Sequence, residues 1–185
     1  MGADGPYITL GAAACVLARV VSKTKEACVA TEKSEHARAQ ALAGYLDPGP
    51  KHLNCAQAVM LSGLLIMDED PEFTTVAGYL GGGMARMGEA CGALTGAAVT
   101  LGLRDMQAPE PLPKNSAFDP LQQLIRDFEA NFGAVTCKGL LGCDISSPQG
   151  FREAKRSQAL SRCPEFVAWT IDRLAEMMCH KQSEM

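Results

Sequence analysis

The 185-residue sequence is poor in aromatic residues and in clustered positive charge. Only 5% of its residues are Phe, Trp or Tyr. Ala, Gly, Leu and Met are plentiful instead, which favours closely packed helices over a β-sandwich. Lys and Arg form no stripe along any segment and the net charge is -4, so we expect no nucleic-acid partner.

The sequence also lacks a long apolar run. The run from Ile8 to Val21 is too short to span a bilayer, so we expect no transmembrane span. It resembles the apolar core of an export signal, but no Lys or Arg precedes it. We interpret residues 1–30 as an N-terminal apolar extension and residues 31–185 as one helical domain. If this extension is an ordered helix or a tail, which we favour, the protein is expected in the cytoplasm. If it is a truncated export signal, the protein is expected in the periplasm.

Cys-x-x-Cys spacing is absent although the chain has eight cysteines. This absence argues against a zinc ribbon and a thioredoxin-like motif, and the absence of Cys-x-x-Cys-His excludes covalent c-type haem attachment. A chain of this length should build a sufficient core, so it does not need a disulfide scaffold. The dispersed cysteines therefore need another explanation.

Helical patterns cover most of the chain after residue 31, and no segment has a convincing strand pattern. The predicted fold class is all-α, a compact multi-helix bundle. The predicted helices are 32–46, 54–67, 73–80, 89–103, one opening at 119, 136–141, 148–160 and one opening at 163. The Pro-rich stretch 108–114 is a predicted surface connection. Gly88, Gly92 and Gly96 recur every four residues, from just before the 89–103 helix into its middle, where they would let a neighbouring backbone approach closely.

Four cysteines coincide with predicted helix starts. Cys55 and Cys137 each follow a residue suited to cap a helix. Cys163 precedes a proline, which prefers the first helical position, and Cys91 lies in the first predicted turn of its helix. A helix N-terminus offers unpaired N–H groups and the positive end of the helix dipole, which stabilise a thiolate and lower the thiol pKa. We therefore predict one redox or metal site formed by Cys55, Cys91, Cys137 and Cys163.

Accessory residues are predicted near this site. Cys143 could act as a resolving thiol or a spare ligand, and His52 as a proton relay or a further polar group. Gly92 would let backbone N–H groups come close to the site. Gly83 belongs to a glycine-rich turn, for which an anion nest with Arg86 is the alternative.

The same residues resemble the C-GCAxxG-C-C family, described as redox-active and named for its pattern of cysteines. The resembling segments are 54–59 (NCAQAV), 82–97 (GGMARMGEACGALTGA), 132–133 (FG), 137–142 (CKGLLG) and 163–167 (CPEFV). The resemblance extends from about Glu35 to Met178. Ala90 stands where the family name has its first glycine.

This resemblance implies that the four cysteines at helix starts are the characteristic cysteines of the family. It also implies a relation to the C-terminal region of the split-Soret cytochrome, which is associated with an iron–sulfur cluster. The haem-bearing part of that protein has no counterpart here, so only the cluster is implied. The resemblance therefore implies which residues form the site, but it implies no particular reaction.

Three functions remain open from the sequence. The first is electron transfer to an unidentified redox partner protein through an iron–sulfur cluster (2Fe-2S or 4Fe-4S) on the four cysteines. The second is a metal-free thiol–disulfide oxidoreductase or redox sensor. The third is structural zinc binding. The glycine-rich helix and the apolar N-terminus are compatible with a homodimer, and the sequence does not decide whether the protein is an enzyme.

Overall fold

Helices form nearly all of the regular structure. A computed structural model describes residues 31–107 and 118–181 of the protein, with side chains through Met178. The α-helices are α1 (31–46), α2 (Cys55–Ile66), α3 (Gly92–Met106), α4 (Asp119–Phe132), α5 (Cys137–Leu141), α6 (Pro148–Arg156) and α7 (Cys163–Lys181). Two short 3₁₀ helices occupy Pro71–Ala77 and Ala159–Arg162. Within the described ranges the only β pairing is an isolated bridge, so the all-α prediction is confirmed.

Helix α2 lies at the centre of the fold and packs against α3 and α7. Its start is specified locally, because the Asn54 side chain accepts hydrogen bonds from the amides of Ala56 and Gln57. The Gln57 side chain accepts one from the Asn54 amide in return, which completes a capping box. Gly96 allows α3 to approach closely, since a Cβ there would lie 2.5 Å from the Ala56 carbonyl oxygen.

An aromatic cluster joins α4 to α7 in the core. The Phe128 ring lies 4.7 Å from that of Phe132 and 5.6 Å from that of Trp169, both edge to face. The Phe132 ring contacts that of Phe166 at 4.9 Å in the same manner. Such arrangements add to the stabilisation from burial. The predicted helix opening at 119 is thereby confirmed, with its apolar residues against α7.

The predicted helix at 89–103 begins three residues too early. Helix α3 starts at Gly92, and the preceding residues form an extended segment that pairs with residues 135–138. Gly88 has φ +79° and lies outside the helix, so only Gly92 and Gly96 serve helix packing. The prediction was wrong here because long-range backbone pairing replaced the first helical turn.

Two further boundaries differ from prediction. The predicted helix at 73–80 is a 3₁₀ helix over Pro71–Ala77, which Asp70 caps through the amide of Glu72. The predicted helix at 148–160 ends at Arg156, because Gln158 adopts φ +60° and separates it from the 3₁₀ helix Ala159–Arg162. The helix predicted to open at 163 begins there, with Cys163 as its first residue.

No helix within 31–107 and 118–181 has the length and apolar character needed to cross a membrane. The predicted N-terminal extension (1–30) and surface connection (108–114) lie outside the described residues, so both remain predictions.

Candidate functional site

Four cysteines from separate segments line one cavity of about 750 Å³. Cys55, Cys137 and Cys163 are the first residues of α2, α5 and α7, and Cys91 immediately precedes α3. All four side chains are buried or half-buried, and all four are free thiols. The fold therefore brings together the four residues that the sequence singled out.

The pairing of two backbone segments brings Cys91 next to Cys137. The Cys91 amide donates a hydrogen bond to the Val135 carbonyl, and the Cys137 amide donates one to the Glu89 carbonyl, both at 2.8 Å. The next amide, that of Lys138, donates to the Gly88 carbonyl at 2.9 Å. These bonds hold the residues before α3 against the start of α5, so the two thiols face the same cavity.

The Cys91 and Cys137 thiols form an asymmetric pair. Hydrogen bonding to Cys137 and burial raise the pKa of the Cys91 thiol well above its ordinary value. Hydrogen bonding from Cys91 and from the Gly92 backbone lowers the pKa of Cys137, although burial opposes this effect. Cys137 is therefore the thiol of the pair that ionises first, with Cys91 as its proton-bearing partner.

Cys55 lies under a glycine-rich turn. Burial raises the pKa of its thiol, while backbone hydrogen bonds from Gly82 and Ala56 act in the opposite direction. The sulfur also lies directly against Gly92, so that a Cβ at Gly92 would overlap it. Gly92 is thus required for the close approach of α3 to Cys55.

Tyr45 on α1 interacts with Cys163 on α7. Burial is the main reason that the pKa of Cys163 rises to about 12, and hydrogen bonding from Tyr45 partly offsets it. Burial likewise raises the pKa of the Tyr45 hydroxyl. The sequence predicts the 32–46 helix that carries Tyr45 and no further role for this residue. Its contact with the site has no local signal, because it depends on how two distant helices pack.

The prediction of four thiols with lowered pKa values is wrong for three of them. Burial raises the pKa of Cys55, Cys91 and Cys163. Placing a charge at a helix N-terminus is worth only about 0.3–1 kcal/mol, whereas full burial can shift a pKa by about 3–5 units. Desolvation therefore outweighs the helix dipole at these positions.

Of the predicted accessory residues, His52 lies in the cavity wall and Cys143 does not. The His52 ring lies 5.9 Å from that of Tyr45, and its Nδ1 is 3.2 Å from the Asp47 carbonyl oxygen. Cys143 is half-buried and packs against the hydrophobic core. Gly92 contacts Cys55 directly, as described above.

The glycine-rich turn continues into an unusual left-handed segment. Gly82 and Gly83 have φ +66° and +71°, and Met84, Ala85 and Arg86 follow at +58°, +52° and +66°. A Cβ at Gly83 would lie 2.5 Å from the backbone of the following loop, so Gly83 is needed to fold the turn. Left-handed backbone costs an L-residue roughly 1–2 kcal/mol. The glycines in the sequence predict a turn beside the site. They do not predict that the left-handed conformation continues through the three residues that follow.

The donor set matches an iron–sulfur cluster in number and type. Four cysteine thiolates are the usual ligands of such clusters, and backbone N–H groups near their sulfurs tune them. Among the residues that the structure describes, no three His, Cys, Asp or Glu side chains are arranged to hold a single metal ion. The geometry therefore gives no direct support to a zinc ion or to a cluster, and the match rests on the number and chemistry of the four thiols.

The fold and the cavity define an all-α protein with four thiols gathered in one largely buried site. The family model described as "Putative redox-active protein (C_GCAxxG_C_C)" matches residues 53–177, which is more than half of the chain, and the protein belongs to this family. The match begins after α1, so Tyr45 lies outside it and the predicted limit at Glu35 was too early. No curated protein and no solved structure matches the chain.

Proposed function

We propose that the protein transfers electrons through an iron–sulfur cluster held by Cys55, Cys91, Cys137 and Cys163. The observation that supports this proposal is the presence of all four thiols in the wall of one cavity. A reversible disulfide uses two cysteines, which would leave the other two without a role. Four thiolates match the ligand count of both two-iron and four-iron clusters.

The electrostatics of the cavity support a positively charged occupant. Charge repulsion among the cysteines raises the pKa of Cys55, Cys91 and Cys163, in addition to the effect of burial. A cation offsets this repulsion, so ligation by the four sulfurs would release protons. Metal ligation would therefore relieve the repulsion that these thiols meet when they ionise.

Other residues of this chain would prepare the site. A bound cluster supplies one-electron oxidation and reduction. The Gly82 amide directs its N–H towards the Cys55 sulfur, and the Tyr45 hydroxyl interacts with Cys163. Phe166 and Val167, both buried, form an apolar part of the wall that excludes water. Such hydrogen bonds and such exclusion of water set the reduction potential of a cluster.

The test is metal analysis of protein purified without oxygen. We expect iron and acid-labile sulfide in equal amounts, together with visible charge-transfer absorption. Cys91→Ser should lose all three signals, whereas Cys143→Ser should keep them because Cys143 is a half-buried free thiol outside the cavity wall. A colourless wild-type protein without iron and sulfide would contradict the proposal.

A second candidate function, reversible thiol–disulfide exchange, is favoured by the Cys91–Cys137 pair. Cys137 has a lowered pKa and interacts directly with the Cys91 thiol. In this reaction the two cysteines form one S–S bond, and their two electrons and two protons reduce a disulfide of the partner to a dithiol. Treating metal-free protein with oxidised glutathione should then join Cys91 to Cys137 in wild type and in Cys163→Ser alike. Peptide mapping that finds another pairing would exclude this candidate.

A further inference from the structure

The wall of the cysteine cavity contains two cations and, among the described residues that line it, no carboxylate. These cations are Arg86, in the left-handed turn, and Lys155, on α6. None of the hydrogen bonds or ion pairs within the described ranges joins either side chain to an acidic residue. Lys138, by contrast, lies near enough to Asp144 to contribute to the lowered pKa of that carboxyl.

Both cations converge on one aromatic ring. The Arg86 guanidinium carbon lies 4.3 Å from the centroid of the Phe151 ring, and the Lys155 ammonium nitrogen lies 4.9 Å from it. The ring attracts each cation. The ring does not neutralise either positive charge, and an anion bound beside both of them would do so.

The backbone that presents Arg86 is conformationally costly. Arg86 is the last of five successive residues with positive φ, and its own φ is +66°. Its Cα packs against Gly82, where an added Cβ would lie 3.1 Å away. The same turn therefore directs the Gly82 amide to Cys55 and holds Arg86 in the cavity wall. Strained backbone of this kind is concentrated at functional sites.

The size and lining of the cavity indicate the kind of ligand. Its volume of about 750 Å³ falls within the range of about 300–1,000 Å³ that is usual for sites that bind small organic molecules. Much of the remaining wall is apolar and includes Leu141, Phe151 and Leu160. A ligand that fits this wall has one anionic group and an apolar or planar body.

We infer that Arg86 and Lys155 form a binding site for a small organic anion at the cysteine cavity. Its carboxylate, sulfonate or phosphate group binds the two cations, and its apolar body lies along Phe151. Binding of the anion does not require a cluster, because the two cations provide it. Only the role of the bound molecule in the reaction rests on the proposed function.

Calorimetric titration of the full chain with two matched probes tests the inference. Anilinonaphthalene sulfonate provides an aromatic body with one anionic group, and phenylnaphthylamine provides the same body without the charge. We expect the sulfonate to bind at a single site and the neutral analogue to bind more weakly. Equal affinities for the two probes, or no saturable binding of the sulfonate, would overturn the inference.

Variants assign the binding to the two cations. The double variant Arg86→Gln with Lys155→Gln should bind the sulfonate at least about tenfold more weakly, with its affinity for the neutral analogue unchanged. Arg152→Gln is the matched control, because Arg152 is an exposed cation on the same helix α6 and lies outside the cavity wall. Undiminished sulfonate binding by the double variant, or equal weakening by Arg152→Gln, would overturn the assignment.

Iron and labile sulfide measured on the same samples separate this inference from the proposed function. Charge-dependent sulfonate binding by a protein without iron and sulfide would contradict the cluster and support the anion site. A cluster-containing protein that does not bind the sulfonate would contradict the anion site alone. Circular dichroism melting should give the same curve for all variants, since the three substituted side chains are exposed.

Discussion

Single atoms decide the geometry of the cysteine cavity at two positions. Gly92 lacks a side chain where the Cys55 sulfur approaches α3, and the Tyr45 hydroxyl forms a hydrogen bond with Cys163. Both contacts join elements that are distant in the chain. Substitutions at Gly92 and Tyr45 therefore test the tertiary arrangement of the site without removing a cysteine.

Adding one methyl group at Gly92 should displace Cys55. Besides overlapping the sulfur, the new Cβ would lie 3.2 Å from the Leu80 carbonyl oxygen and 3.3 Å from the Ala56 amide nitrogen. We expect Gly92→Ala to lower the free energy of unfolding by about 1–3 kcal/mol, as overpacking does. Urea unfolding of the reduced protein measures this change.

Gly102→Ala is the matched control for that experiment. Gly102 lies on the same helix, α3, and a Cβ there would meet nothing within 4 Å. Because alanine favours helix over glycine, we expect this variant to gain up to about 1 kcal/mol. If the two variants unfold at the same urea concentration, the close contact between Gly92 and Cys55 is absent in solution.

Removing the Tyr45 hydroxyl should make Cys163 harder to ionise. Hydrogen bonding from Tyr45 lowers a Cys163 pKa that burial has raised to about 12. Tyr45→Phe should therefore raise this pKa further and slow the alkylation of Cys163 at a fixed alkaline pH by about tenfold, the loss expected for one hydrogen bond to a charged group. The measurement is peptide-resolved iodoacetamide labelling of reduced, metal-free protein.

Tyr79→Phe serves as the control for Tyr45→Phe, because Tyr79 is 86% exposed although it borders the same cavity. We expect the rate at Cys163 to be unchanged in this variant. Faster labelling of Cys163 in Tyr45→Phe would mean that the hydroxyl restricts access to the thiol and does not stabilise the thiolate.

At the level of elements, the left-handed turn 82–86 and the paired segments 88–91 and 135–138 together assemble the site. The turn directs the Gly82 amide to Cys55, and the paired segments bring Cys91 beside Cys137. Neither element is a regular helix, although the rest of the fold is helical. The helices supply rigid supports, and the irregular segments set the positions of the thiols and of Arg86.

The conformational cost of the left-handed turn can be measured by replacing alanine with glycine at two positions, one in the turn and one in a helix. Ala85 has φ +52°, a conformation that glycine adopts freely. Ala85→Gly should relieve about 1–2 kcal/mol of backbone strain and lose somewhat less to the added freedom of the unfolded chain, giving a net gain of about 0.5–1 kcal/mol. Thermal or urea unfolding detects this gain.

The same change in a helix should have the opposite sign. Ala130 is exposed in helix α4, where glycine is about 1 kcal/mol less favourable than alanine. Ala130→Gly should therefore destabilise the protein. If Ala85→Gly destabilises it as much as Ala130→Gly does, the left-handed conformation at Ala85 is not populated in solution.

For the molecule as a whole, the buried thiols make stability depend on alkaline pH. Burial raises the pKa of Cys163 from an ordinary value of about 9 to about 12, and the pKa values of Cys55 and Cys91 are also raised. Between the ordinary pKa and the raised pKa, the thiols of the unfolded chain lose protons that the same thiols keep in the folded protein. The contribution of these thiols to stability is therefore complete below the ordinary pKa and falls as the pH rises. Cys137, with its lowered pKa, partly opposes this fall.

We expect reduced, metal-free protein to lose stability progressively above about pH 9, the ordinary thiol value. Urea unfolding across this range measures the loss. Cys163→Ala should show a shallower decline than wild type in the same buffers, because it lacks one of the thiols with a raised pKa. An identical decline in the two proteins would show that Cys163 is not buried as a neutral thiol.

Much of the architecture was predictable from local patterns. The helix cap before Cys55 and the helix opening at 119 each depend on residues a few positions apart, and both predictions are confirmed. The start of α3 was mispredicted, because Gly88 and its neighbours pair with a segment more than 40 residues away. Such pairing leaves no periodic signal in either segment.

The sequence by itself determined the helical class, the family and the thiol at each of four helix starts, because helix caps and periodicity act over short distances. The tertiary structure alone decided that these starts meet in one cavity, that Cys91 lies beside Cys137, and that Arg86 and Lys155 flank Phe151. It also reversed the expected pKa direction of three thiols. The reason is desolvation, which depends on everything that packs around a sulfur and not on its neighbours in the chain.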